Sequence, residues 1–464
     1  MSGVELGDGA AQGLREGFEG AVLESGDAGY EDARAIFNSM IERRPAVIAQ
    51  CAGPADVAAA IAFARDSGLE IAVRGGGHSV AGASLTEGGL VIDLRNTNSV
   101  KVDPDARTAK VAGGATWSDV DRAAQPHGLA TTGGRVSTTG VAGLALGGGS
   151  GWLERKFGLA SDSMLSAELA TADGHTVTAS EDENPELFWA LHGAGGNFGI
   201  ATELTFRLHE MPEFAIALLL WRAEAGPEVL RRYRDLFEDG APDELGGGVL
   251  YMTGPPEEFV PEHLKDKLTA GLLATYAGDE TEMRNVIDPL LELEPEGELI
   301  TPIPYADLQC MLDDPPGYRN YWSVEYVHEF PDEAVDRFCA RSADMIVPSP
   351  SQHILFPWGG AIARNANDWP IADRNAPWSV HPLGLWEDPA DDDRGRQWSR
   401  DLCADMKPWA TGGVYLNFVG DEGEDRVVAG YGGRSNYDRL AAVKAEYDPD
   451  NVFHLNHNVR PATS

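Results

Sequence analysis

Three glycine clusters constrain this chain more than any other feature: Arg74–Gly82, Gly140–Gly151 and Gly193–Gly199. Glycine lets a backbone adopt positive φ and come close to a ligand. Successive amides in such turns form a concave nest for anionic oxygens, and a pyrophosphate is a natural guest. Arg74, beside the first cluster, reads either as added positive charge or as a strand-end surface residue. The usual nucleotide fingerprints fail. In a G-x-G-x-x-G frame the third glycine is replaced by Val80 counting from Gly75, by Trp152 from Gly147 and by Phe198 from Gly193, and no Gly-Lys pair exists for a Walker loop. Any one cluster is also readable as a structural turn. Three clusters with different neighbours point to an extended, phosphate-bearing ligand.

Around the clusters, strand and helix patterns alternate. Val47–Cys51 and Ile71–Arg74 read as strands flanking a helix over Pro54–Arg65, with Val57, Ala60, Ile61 and Ala64 on one face and Gly68 ending it. Further strands fit Leu90–Leu94, Val100–Val102, Thr108–Ala112, Ala167–Ala172 and Thr202–Leu208, with helices at Trp117–Gln125 and Pro185–His192. A helix is also expected over Tyr30–Arg44, in an N-terminal segment without a motif. Beyond Pro212 the pattern changes. There, strands such as Phe214–Trp221 alternate with amphipathic helices at Pro227–Phe237, Glu280–Leu291 and Asp332–Met345, an α+β pattern. Ala410–Pro461 resumes the turn-rich character of the first part. The Asp391–Asp393 run reads as a solvated loop.

Length and charge bound the rest. The chain has 464 residues, enough for two or three domains. It carries 74 acidic and 36 basic residues, a formal net charge of −38. Such a surface repels itself at low salt and is screened within about 3 Å at 1 M salt, so it reads as adaptation to a salt-rich cytoplasm, with an acidic mesophilic protein as the alternative. The same field disfavours nucleic acid and anionic membranes as partners. The apolar stretch Phe214–Trp221 is too short to span a bilayer, and the N-terminus lacks the basic and apolar regions of a secretory signal. Cys51, Cys310, Cys339 and Cys403 are scattered without CxxC or histidine at ligand spacing. They read as buried thiols, so no metal site and a cytoplasmic location are expected.

The string Arg74-Gly75-Gly76-Gly77-His78-Ser79 resembles the R-x-G-G-H segment of the berberine-bridge-enzyme-like flavoproteins, within the vanillyl-alcohol-oxidase superfamily. Gly140-Val141-Ala142-Gly143 with Gly147-Gly148-Gly149-Ser150-Gly151 is similar to a second FAD loop, continued by Phe157 to Asp162. Leu187-Phe188-Trp189-Ala190 through Gly195 to Ile200 resembles a third. Tyr415-Leu416-Asn417 matches a Y-x-N element, and Tyr447 through Phe453 a C-terminal signature. The ordered set covers about 45–210 and 411–461.

The resemblance implies an α+β fold with a two-part, PCMH-type FAD-binding domain, residues 1–210 and 411–464, around an inserted antiparallel-sheet substrate domain, 211–410. It implies FAD contacts from Arg74, Gly75, Gly76, Gly77, His78, Ser79 and Gly82 in the first loop. Thr139, Gly140, Gly143, Leu144, Gly148, Gly151 and Asp162 would serve from the second. Gly199, Ile200, Tyr415, Asn417 and Asn456 complete the set.

In such flavoproteins a histidine at the position of His78 bonds to the flavin 8α-methyl carbon. That attachment needs a neutral imidazole, which an unperturbed pKa near 6.5 supplies at neutral pH. Many relatives add a second tether from a cysteine. The stretch Arg135-Val136-Ser137-Thr138-Thr139 has none, so a single bond is expected. Thr139 stands about where relatives carry an aliphatic residue linked to oxygen access, which leaves oxidase and dehydrogenase behaviour both open.

Hydride transfer from an alcohol requires its hydroxyl proton to leave as well. The resemblance puts Tyr415 in the role of base, with a neighbouring cation, Arg374 being the candidate, lowering a pKa near 10. Trp322, Tyr326, Trp358, His381 and Trp386 fall in expected strands, and most read as core. The expected function is oxidation of a hydroxyl group of a small molecule, such as a sugar or alcohol, with oxygen or another acceptor taking the electrons. The alternatives are a flavoprotein with dissociable FAD acting on a hydroxy acid, and a non-catalytic flavin-binding homologue.

Overall fold

The computed structural model describes residues 11–311, 313, 316–364, 369–420 and 422–463. Its first layer is a four-stranded sheet in the order Ala21–Glu24, Val47–Gln50, Leu90–Asp93, Ile71–Arg74, the last three parallel. Those parallel strands are near-continuous apolar runs, as burial on both faces requires. The helix Pro54–Ser67 covers one face with Val57, Ala60, Ile61 and Ala64, all essentially inaccessible. Proline opens this helix, and Gly68, at φ 65°, closes it in the left-handed conformation.

A second, antiparallel sheet follows in the order Val100–Asp103, Thr108–Ala112, Ile200–Arg207, Met164–Ala170, Thr176–Ser180. Its core explains why the end of the chain returns. Val141, Ala145, Leu159 and Phe198, from the glycine-rich segments, share one hydrophobic cluster with Val414, Leu416, Tyr431, Leu440 and Val459.

Between these parts lies an eight-stranded antiparallel sheet. Seven strands run in the order Gly297–Pro302, Ala215–Arg222, Leu268–Tyr276, Leu245–Thr253, Gln352–Pro357, Trp378–Trp386, Arg319–Trp322, and Glu325–Val327 pairs beside them with Trp378–Trp386. Register assigns its faces. Leu355 lies opposite Val380, and both pack with Trp398 and Phe338 of the helices Asp392–Met406 and Asp332–Arg341. Ile354 and Phe356, on the other face, pack against Trp152 and Leu153 of the second glycine segment; His381 lies opposite Ile354. One face is thus roofed by helices and the other is laid on the glycine loops.

Several local expectations are corrected. The helix expected over Tyr30–Arg44 stops at Arg34, because Arg74 takes the carbonyls of Ala33 and Ala35 and residues 35–44 cross the first loop as a strap. Asp392 and Asp393 are not loop residues. They form the first turn of the helix Asp392–Met406, where negative charge favours the helix dipole, and Asp392 binds the Arg319 guanidinium at 2.5 and 2.6 Å. The helix from Asp332 ends at Arg341, followed by a separate short turn at Ser342–Asp344. No helix among the described residues is long and apolar enough to cross a membrane.

Candidate active site

The first and second glycine loops meet backbone to backbone. A Cβ on Gly76 would lie 2.3 Å from the Gly140 nitrogen, and one on Gly140 would lie 2.3 Å from the Gly76 nitrogen. Only glycine permits this crossing, which brings His78 beside the second loop. Gly77, at φ 78°, curves over the Arg74 guanidinium, whose Nε would lie 3.1 Å from a Cβ there. Arg74 was expected to offer its charge to a ligand. Instead it is buried, its Nη atoms hold the carbonyls of Ala33 and Ala35, and desolvation lowers its pKa to about 10. Ser79 closes the turn, its carbonyl accepting from Gly82 N at 3.0 Å and its hydroxyl from Ala83 N at 3.2 Å; Gly82 leaves room for Ile41.

His78 is half-buried and stacks on Phe37, with ring centroids 4.3 Å apart and planes 19° from parallel. Its Nε2 lies 2.8 Å from the Thr138 hydroxyl oxygen. Burial, and secondarily the charge of Arg74, lower its pKa to about 4, so the ring is neutral at ordinary pH.

In the second loop Gly140 starts the short helix Val141–Ala145. Gly143 is exposed, with nothing within 4 Å of where a Cβ would stand, and the half-buried Leu144 accepts from Asn417 Nδ2 at 3.0 Å through its carbonyl. Thr139 is also half-buried, its carbonyl accepting from Trp117 N at 3.0 Å. Gly148, at φ 112°, lies against the Tyr415 ring, and a Cβ on Gly151 would collide with the Gly133 carbonyl at 1.6 Å.

Tyr415 does not stand beside a cation. Its hydroxyl accepts from Gly149 N at 2.7 Å, Ser150 N at 2.8 Å and Asn417 Nδ2 at 2.9 Å, and burial raises its pKa to about 12. Arg374, expected to lower that pKa, is spent elsewhere. It pairs with Asp162 at 2.5 Å, both side chains 3% exposed, and donates to the Ile362 carbonyl at 3.1 Å. The expectation that Arg374 lowers the tyrosine's pKa is therefore corrected, and in this geometry the phenol braces the Gly149–Ser150 turn.

In the third cluster Gly195 and Gly196 have nothing within 4 Å of where a Cβ would stand. Gly199 passes close under the Ala170 carbonyl, 2.7 Å from where its Cβ would be, and Ile200 starts the strand that pairs with Ala170. Asn456 reaches this cluster, with Nδ2 3.4 Å from the Gly196 carbonyl and 3.2 Å from that of Phe453. The C-terminal signature has a plain physical basis: Asp448 accepts from Val452 N and Phe453 N and pairs with the fully buried Lys444, which also donates to the Asn197 carbonyl at 2.5 Å.

Phe37 and Phe418 join this site without a sequence signal of their own. Phe37, His78, Trp322 and Phe418 are half-buried neighbours, with Phe37–Trp322 centroids at 5.9 Å and Trp322–Phe418 at 6.4 Å. Arg135 lies over the Phe356 ring at 4.1 Å and pairs with Glu154 at 2.7 Å. Tyr326, Trp358, His381 and Trp386 are buried. A cleft of about 800 Å³ lined by Asp121, Phe214 and Tyr305 contains none of the expected site residues.

The arrangement fits a flavin dinucleotide. Asn456 and Asn458 each present a buried carbonyl oxygen without a donor, and Arg74 a buried Nε without an acceptor.

Comparisons agree. Residues 45–180 match the FAD binding domain family, and residues 414–460 match the family described as berberine and berberine like. The (R)-6-hydroxynicotine oxidase of Paenarthrobacter nicotinovorans is 31% identical over 456 residues, covering 96% of this chain and 98% of that protein. An uncharacterised FAD-linked oxidoreductase of Bacillus subtilis is 28% identical over 453 residues, covering 95% and 97%. The crystal structure of 6-hydroxy-D-nicotine oxidase from Arthrobacter nicotinovorans matches with a TM-score of 0.84 at 29% identity, covering 96% of this chain and 98% of that one.

The expectation of a salt-adapted, cytoplasmic protein is corrected by the same comparisons. This architecture recurs nearly end to end in Paenarthrobacter nicotinovorans, Bacillus subtilis and Dictyostelium discoideum, so neither fold nor site marks a salt-rich or cytoplasmic setting. The acidic surplus carries no inference about either. What the loops, the returning C-terminus and the matches do carry is a family: the chain belongs to the berberine-bridge-enzyme-like FAD-linked oxidoreductases.

Proposed function

We propose that this chain holds FAD through one covalent bond to His78 and oxidises a hydroxyl group of a small-molecule substrate, with oxygen or another acceptor taking the electrons. The observation that carries the reading is the His78 ring: neutral, stacked on Phe37, and engaged at Nε2 by Thr138. A second bond has no donor, since residues 135–139 contain no cysteine. When bound, the flavin supplies the hydride acceptor. The residues of the chain supply the rest. Amides of the first loop receive the phosphates, since those of Gly149 and Ser150 in the second are held by Tyr415. Asn456 and Asn458 offer acceptors, and Tyr415 keeps the Gly149–Ser150 turn in place. Phe37, Trp322 and Phe418 form an apolar wall that excludes water from the reacting carbon.

That aromatic wall also favours a second reading, in which the substrate is a flat heterocycle. The relative named as an oxidase of (R)-6-hydroxynicotine agrees with it. Anaerobic mixing of the yellow protein with glucose, cellobiose, benzyl alcohol and 6-hydroxynicotine separates these readings. Bleaching by one of the first three supports hydroxyl oxidation, bleaching by 6-hydroxynicotine alone supports the heterocycle, and no bleaching by any contradicts both.

A further inference from the structure

We infer that Phe37 and Thr138 form a clamp that readies His78 for flavin attachment, Phe37 fixing the ring plane and Thr138 taking the Nε2 hydrogen so that Nδ1 forms the bond. The inference rests on the covalent reading above and assigns parts to two residues outside the family motifs.

Both halves of the clamp are anchored. Phe37 lies on the strap that follows the short helix Tyr30–Arg34. Its amide donates to the Gly77 carbonyl at 3.2 Å, one residue before His78. Next to it, Asn38 Nδ2 donates to the Val80 carbonyl at 2.9 Å and to the Asn320 carbonyl at 3.1 Å, and Asn320 N returns a bond to Asn38 Oδ1 at 3.1 Å. The strap is thus fastened to the His78 loop on one side and to the substrate sheet on the other. Thr138 is held by its neighbour: Asp313 accepts from Ser137 N at 2.8 Å and from Ser137 Oγ at 2.6 Å.

The contact at Nε2 decides which nitrogen reacts. The 2.8 Å contact suits either tautomer; in the one the clamp selects, Nε2–H donates to the Thr138 oxygen and the lone pair of the neutral ring resides on Nδ1, for which no hydrogen bond is seen among the described residues. Attachment joins Nδ1 to the 8α carbon. That carbon loses one hydrogen with its bonding electron pair, and Nε2 loses one proton. The two electrons and two protons pass to the acceptor that reoxidises the flavin in turnover. Before the bond forms Thr138 accepts from Nε2–H; afterwards Nε2 is bare and the Thr138 hydroxyl donates to it. A hydroxyl serves both states, and a methyl group serves neither.

The test compares wild type with Thr138→Val, Thr138→Ser, Phe37→Leu and Phe37→Tyr, each produced in riboflavin-starved cells and then mixed with FAD in air. Covalent flavin is followed as fluorescence on denaturing gels and bound flavin as yellow native protein. Thr138→Val should bind FAD yet attach it on the order of a hundredfold more slowly, with Thr138→Ser near wild type. Phe37→Leu should be slow and Phe37→Tyr restored. Attachment by Thr138→Val at the wild-type rate overturns the clamp while leaving the tether intact. Thr138→Val that binds no FAD also overturns it, by making Thr138 part of the binding surface. Wild type that never attaches FAD overturns the tether reading itself.

Discussion

The Tyr415 hydroxyl lies 2.7 Å from the amide nitrogen of Gly149, a contact that spans 266 residues of sequence and fastens the returning C-terminal segment to the second glycine loop. Ser150 N and Asn417 Nδ2 donate to the same oxygen. Three convergent donors favour a phenolate, yet burial outweighs them and holds the pKa at about 12. This makes Tyr415 a strut for the flavin loop.

Replacing Tyr415 with Phe leaves two buried amides without an acceptor, at a cost of about 1–3 kcal/mol for each unsatisfied group. The variant should melt earlier and retain less FAD, measured by thermal denaturation and bound-flavin absorbance. A variant with wild-type melting and full FAD that lost turnover by orders of magnitude would restore the tyrosine as base.

The Asp162–Arg374 pair joins the exit of the second loop to the inserted segment, at 2.5 Å and almost without solvent. Breaking one partner of such a pair strands a buried charge and costs about 3–5 kcal/mol. Arg374→Met should therefore lower the urea midpoint substantially, and a midpoint equal to wild type would show the remaining carboxylate to be solvated.

Acid should weaken the fold before ordinary carboxylates titrate. His192, His353 and His381 are buried, and desolvation lowers their pKa values to about 4, about 3 and about 3 from 6.5. Between those limits the unfolded chain binds protons that the folded chain refuses, so their contribution is full above pH 6.5 and is lost as pH falls toward 4. Asp121 opposes them: burial raises it from 3.8 to about 8, so its contribution is full at low pH and is lost as pH rises through that window. His78 and His209, each lowered to about 4 by burial, act in the same direction, so five histidines against Asp121 give a lower urea midpoint at pH 5 than at pH 7. Equal midpoints would contradict this balance.

The sequence was most readable where one residue type alone satisfies the geometry. Gly76 and Gly140 cross because no side chain fits between them, and both stood inside recognisable clusters. The parallel strands and the helix Pro54–Ser67 were legible from apolar runs and a glycine stop. Tertiary contacts overrode local pattern elsewhere. The helix from Tyr30 ends because Arg74, distant in sequence, takes its carbonyls, and nothing nearby in the sequence announces that. Arg374 has the charge expected of an activating cation, but only the packed structure shows that Asp162 holds it. Phe37 and Thr138 are ordinary residues whose importance comes from proximity to His78.

Acid precipitation of the purified, FAD-loaded protein beside its His78→Ala variant addresses the tether most directly. A yellow wild-type pellet, with the flavin of the variant released to the supernatant, is the predicted outcome. Flavin released from wild type as completely as from the variant would contradict the account.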